Sequence, residues 1–176
     1  MIMRYYEDKK PIISPESFVA EGVRIVGDVI IGKNSNIWFN AVLRGDVAPI
    51  RVGEGTNIQD NCVIHTSRFG EKGAAIIGNN ITIGHAAIIH ACVIEDNSFI
   101  GMASTIMDGA IVENYGYVAA GALVSPGKIV RSYELWAGVP AKFIRKITDS
   151  EIAHIIDSPK FYVELAKKYH DNSDII

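Results

Sequence analysis

Ile94-Glu95-Asp96-Asn97-Ser98-Phe99-Ile100-Gly101-Met102-Ala103-Ser104-Thr105-Ile106 sets an aliphatic residue at every sixth position, and the phase continues through Val112, Val118 and Val124. Six does not fit a helix, because a period of 3.6 residues drifts out of step within two units. It is a multiple of two, so each aliphatic side chain points to the same side of a strand. Towards the N-terminus the same spacing holds Ile77, Ile83 and Ile89, then Val52, Ile58 and Ile64, then Val19, Ile25, Ile31, Ile37 and Leu43. Glycine often follows the aliphatic residue, as in Ile31-Gly32 and Ile100-Gly101, and a small residue often stands four after it, as at Cys62, Ala87 and Ser104. A sandwich of alternating strands has no reason to keep that phase. A parallel β-helix of hexapeptide units does, with three units to a triangular coil of about 18 residues. Equivalent aliphatics then stack roughly 4.8 Å apart along the axis.

The phase slips between Leu43 and Val52, between Ile64 and Ile77, and between Ile89 and Ile94. The first two slips read as loops pushed out at corners, at Val47–Pro49 and Ser67–Ala75. Ala137-Gly138-Val139-Pro140-Ala141-Lys142 reads as an exit turn. Thr148-Asp149-Ser150-Glu151 has the form of a capping box, and Ile152, Ile155 and Ile156 follow at helical spacing. Ser158-Pro159 is expected to interrupt that helix, with Phe161, Tyr162, Leu165, Ala166 and Tyr169 resuming its apolar face. The expected organisation is one domain over residues 1–176: a β-helix over about 11–135 and a C-terminal helical segment over about 148–170, packed on the solenoid.

Composition narrows the function. The chain has 176 residues, and its 17 basic against 20 acidic side chains give a net charge of −3. A nucleic-acid binder or a protein of anionic membrane surfaces needs a basic field that this balance does not supply. No apolar run reaches the roughly 18 residues of a membrane span. The first ten residues turn charged before a signal-peptide core forms, so the expected compartment is the cytoplasm. Two cysteines, Cys62 and Cys92, do not make a disulfide scaffold.

The register places the histidines. His154 and His170 fall on the C-terminal helical segment, where a surface or interface position is the default. His65 and His90 each follow their aliphatic residue by one and stand one coil apart, on one corner; Arg44 joins that column. His85 stands two after Ile83, at another corner, with Asp60 one coil away and Gln59 beside it. Two stacked imidazoles can share one metal ion, but His85 cannot reach them within one chain. A three-fold trimer would bring His85 of one chain to His65 and His90 of its neighbour, and Asp60 to the neighbour's Arg44. Three imidazoles with one open position is the arrangement of catalytic zinc. Imidazole also suits other transition metals, so the ligand set alone does not choose the ion.

Arg44-Gly45-Asp46, Asn57-Ile58-Gln59-Asp60-Asn61, His65, Gly84-His85 and His90, in this order, make the chain resemble the γ-class carbonic anhydrases and their bacterial and archaeal relatives over roughly residues 10–170. The resemblance implies a left-handed β-helix, a homotrimer and metal at the subunit interfaces, Zn2+ as usually isolated, with Fe2+ or Co2+ as alternatives. It implies attack of a metal-activated hydroxide on CO2 to give bicarbonate. It assigns His65, His85 and His90 as ligands, Gln59 to orienting the attacking water and Asn57 to holding Gln59. Arg44 and Asp60 match an intersubunit ion pair, Asp46 completes the Arg-x-Asp pattern, and for these three a structural role stands beside the catalytic one. Tyr162 matches an aromatic that enters the neighbouring pocket, with helix packing as its alternative. The fully active archetype carries a glutamate where this chain has Val47, and Glu71 is the only acid in the loop Thr66–Lys72. The expectation that follows is turnover limited by proton transfer and rescued by small buffers.

Two other readings stay open. Gly138-Val139-Pro140-Ala141-Lys142 is also common in hexapeptide-repeat acyltransferases, which use acyl-coenzyme A and one histidine as general base. A non-catalytic trimeric scaffold would keep the metal site without turnover.

Overall fold

The computed structural model describes residues 2–68 and 73–171. The chain winds into a mostly-β parallel solenoid of about 7 turns and ends in one helix. Each hexapeptide contributes a short strand and a turn, and each strand pairs with the strand one coil away. Three columns of side chains result. Ile37, Ile58, Ile83, Ile100 and Val118 form one. Leu43, Ile64, Ile89, Ile106 and Val124 form the second. Val52, Ile77, Ile94, Val112 and Val130 form the third. All of them are buried and make the core, each worth about 1.5–3 kcal/mol of transfer free energy.

The repeat runs further than its aliphatic signal. Val130 pairs with Val112, and Trp136, the next sixth position, pairs with Val118. At the other end Ile13 pairs with Ile31. The exit turn at 137–142 is the tip of an antiparallel hairpin between Glu134–Gly138 and Ala141–Lys146.

The Val47–Pro49 insertion is not a corner loop. It lies within one long strand, Val42–Val52, paired with Arg24–Ile31. Gly45 pairs with Gly27 and Ile50 with Val29, so Asp46-Val47-Ala48-Pro49 stand opposite Asp28 alone. The extra residues are absorbed as a bulge, which keeps the flanking pairs in register and re-aims the bulged side chains. Phase counting reveals surplus residues, not whether their backbone stays in the sheet. The second insertion begins with Ser67 N–H bonded to Gly73 O at 2.9 Å; Glu71 lies outside the described residues.

Helix α1 spans Asp149–Asp171, continuous through Pro159. The expected interruption does not occur: proline's fixed φ is compatible with a helix, and Ser158 and Pro159 are buried against the solenoid. The capping box forms, with Glu151 N–H donating to Thr148 Oγ1 at 3.3 Å and Thr148 N–H to Glu151 Oε2 at 2.7 Å. α1 covers the face of the strands Phe18–Val19, Asn36–Ile37, Asn57–Ile58 and Thr82–Ile83. Tyr162 and Tyr169 set their rings against Trp38, at centroid distances of 5.6 and 5.3 Å. Among the described residues no helix is long and apolar enough to cross a membrane.

Candidate metal centre

The strands Val63–His65 and Ile88–His90 are neighbours, and their register sets His65 against His90 and Arg44 against His65. The column expected from the repeat is therefore present. His65 Nδ1 and His90 Nε2 face each other at 3.2 Å. The outer nitrogens of both rings meet carboxylates: His65 Nε2 lies 3.3 Å from Asp46 Oδ1, and His90 Nδ1 lies 2.6 Å from Asp108 Oδ1. An ionised carboxylate only accepts, so these contacts put the protons on His65 Nε2 and His90 Nδ1. Two neutral rings held in those tautomers turn unshared lone pairs towards one another. Such a pair asks for a cation between them. Two nitrogens on a tetrahedral ion with bonds of about 2.05 Å stand about 3.3 Å apart, close to the separation found.

The bulge explains Asp46. It carries the carboxylate to Arg44 Nη1 at 2.5 Å while its other oxygen meets His65. Burial pushes the Asp46 carboxyl up, but the bonds from Arg44 and His65 outweigh it and hold it below the usual carboxylate range. Burial, followed by the charge of Arg44, pushes His65 down against the raising effect of Asp46. Both shifts favour a neutral imidazole beside an ionised carboxylate, the state that a metal ligand needs.

His85 sits at another corner, on the turn after Thr82–Ile83. Its Nδ1 lies 2.5 Å from Asp60 Oδ2, which leaves Nε2 with the free lone pair. Gly84 precedes it because the next coil passes close: a Cβ there would stand 2.6 Å from the Met102 backbone nitrogen. The His85 backbone N–H donates to Gln59 Oε1 at 3.1 Å, and Gln59 Nε2 donates to Asn57 Oδ1 at 3.0 Å. Asn57 Nδ2 donates to Thr82 Oγ1 at 2.9 Å, and Thr82 Oγ1 meets Ser158 Oγ on α1 at 2.9 Å. This chain of bonds fixes the Gln59 amide, with one Nε2–H left over to donate.

Tyr162, Gln59 and His85 line one cavity of about 350 Å³ between α1 and the solenoid. Tyr162 thus packs the helix and borders the candidate site of its own chain. Within a single chain Asp60 is occupied by His85 and Arg44 by Asp46. Among the described residues no three His, Cys, Asp or Glu side chains converge within the chain, as the two-corner register dictates. His65 and His90 offer two lone pairs at one corner, and His85 offers a third at another. Asp108, Thr82 and Ser158 carry no motif signal. Carrying the register one coil past His90 reaches Met107, so Asp108 is one residue out of the column and meets His90 by side-chain reach, whereas Ser158 depends on how α1 docks.

No family model matches the chain. It is 50% identical over 165 residues to gamma carbonic anhydrase 1, mitochondrial, of Arabidopsis thaliana, a match covering 92% of this chain and 60% of the plant protein. The chain thus spans about 60% of the length of the plant relatives it matches. It is 51% identical over 157 residues to a protein of Methanocaldococcus jannaschii named probable carbonic anhydrase, covering 89% of this chain and 96% of that one. A solved structure, a hexapeptide transferase family protein from Anaplasma phagocytophilum, matches with a TM-score of 0.91 at 48% identity, covering 96% of this chain and 98% of that chain.

Proposed function

The chain belongs to the γ-class carbonic anhydrase family, and from that premise we propose that it is a trimeric metalloenzyme converting carbon dioxide to bicarbonate. The observation that carries the reading is the pair of carboxylate-held imidazoles with facing lone pairs, 3.2 Å apart. His65 and His90 of one subunit, joined by His85 of the next, would hold the ion. The ion is read as Zn2+, with Fe2+ or Co2+ as alternatives. When bound, such an ion lowers the pKa of water and so supplies a nucleophile for carbon dioxide at neutral pH.

The protein's own groups have distinct tasks in this reading. Asp46, Asp108 and Asp60 hold the three imidazole tautomers, as outer partners do for metal-bound histidines. Arg44 keeps Asp46 ionised, and in the trimer it faces the neighbour's Asp60. Gln59, braced by Asn57, donates its remaining N–H to an oxygen in the cavity. Tyr162 walls that cavity against bulk water. Two buried free thiols support a reducing compartment, read here as the cytoplasm.

Metal analysis of the purified protein, followed by a stopped-flow assay of CO2 hydration, tests the proposal. Stoichiometric metal with turnover supports it. The name of the Anaplasma relative favours a second reading, an acyl-coenzyme A-dependent transferase. That reading gains if the protein is metal-free and consumes acyl-coenzyme A. Bound metal without turnover in any buffer would instead mark a scaffold.

A further inference from the structure

His154 occupies a position that no motif assigns. It lines the cavity that holds Gln59 and His85. It also lines the open depression on the outer side of α1, next to Asp157 and Lys160. Among the described residues it alone belongs to both. Its ring rests on Phe99 with centroids 5.1 Å apart, so it is held in place while it remains exposed.

We propose that His154 is the proton exit of this site. The proposal rests on the carbonic anhydrase reading. Water and carbon dioxide give bicarbonate and one proton: a C–O bond forms as one C=O π bond opens onto its oxygen, an O–H bond of water breaks, and the proton goes to a ring nitrogen of His154. From the imidazolium it passes to a buffer base in the outer depression. No oxidant or reductant takes part. Histidine is the side chain whose ordinary titration range suits this task.

The competing groups are unsuited. No carboxylate lines the inner cavity among the described residues. Tyr117 and Tyr162 do, but burial raises both phenols, with Glu151 adding at Tyr117 and Asp60 at Tyr162, so neither loses its proton near neutrality. His85 has one nitrogen on Asp60 and the other reserved for the ion. On the far side, the bulge beside His65 presents Val47, which carries no proton, and Asp46, whose two carboxylate oxygens are engaged by Arg44 and His65. Around His154 the charged groups are Asp157 and Lys160, of opposite sign; Glu151, one turn earlier, is engaged by Arg145.

The test compares zinc-loaded wild type with His154→Ala and His154→Gln, at low and high imidazole. Both substitutions keep the helix, which circular dichroism checks. At low buffer the variants are expected to lose about 10- to 100-fold in kcat, with KM unchanged and imidazole restoring the rate. Unchanged low-buffer kcat in the variants overturns the proposal and leaves the carbonic anhydrase reading standing. A metal-loaded wild type inactive even at high imidazole overturns that reading and the proposal with it. A second readout needs no turnover. In the Co2+-loaded protein the His154 Cε1–H resonance is expected to relax faster than in the metal-free protein. An unaffected resonance puts His154 outside the site and overturns the proposal.

Discussion

Asp108 shows how a single carboxylate would prepare His90 for the proposed role of ligand. Its bond to His90 Nδ1 leaves Nε2 as the only nitrogen able to bind a cation. Asp108→Ala is expected to weaken metal binding by about 10- to 100-fold, the usual cost of removing such a partner, as read by chelator competition. Unchanged affinity would mean that Asp108 does not set the tautomer. In the core, Ile64 is fully buried, and Ile64→Ala should cost about 2–5 kcal/mol in denaturant unfolding. Burial pushes both Cys62 and Cys92 up to about 12, so neither thiol should react with a thiol reagent at neutral pH until the protein unfolds. At this scale the sequence was legible wherever one period joined two residues. His65, His90 and Arg44 fell into a column because each follows an aliphatic residue by one. Asp108 and Ser158 did not, because side-chain reach and helix docking leave no periodic trace.

Helix α1 joins the fold through its first turn as well as its apolar face. Glu151 closes the capping box and also binds Arg145 through both carboxylate oxygens, at 2.8 and 2.9 Å. The Arg145 bond, with the Thr148 backbone N–H next, pulls the Glu151 carboxyl down from 4.5 to about 2. A depressed carboxylate stabilises the fold above its unfolded pKa, and the contribution disappears as pH falls through the folded value. The Tm advantage of wild type over Glu151→Gln should therefore be full above about pH 4.5 and shrink towards pH 2. An advantage that stays constant over that window would contradict the pairing. Thr148→Ala should cost about 0.5–2 kcal/mol through the lost cap. The capping box was readable because its four residues are local. The bulge at Asp46–Pro49 was not, because a strand and a loop of the same length shift the phase equally. That bulge is also what turns Asp46 towards His65.

The whole solenoid keeps His65 and His90 at one corner and His85 at another, and these cannot meet within one chain. The same period that builds the core dictates this separation, so the proposed three-histidine site would require a second copy. Light scattering should give a trimer, and dilution should release metal together with subunits. A monomer that retains its metal would contradict this. Subunit complementation tests the shared site most directly. His85→Ala lacks the ligand of one corner, and the double variant His65→Ala with His90→Ala lacks those of the other. Each should bind no stoichiometric metal alone. Unfolded together in equal amounts and refolded, they form mixed trimers in which about a quarter of the interfaces pair an intact His65–His90 corner with an intact His85, the product of two even chances. Metal content should therefore rise to about a quarter of the wild-type value. A mixture that binds no more metal than its parents, or a parent variant that binds fully, would contradict a centre shared between subunits.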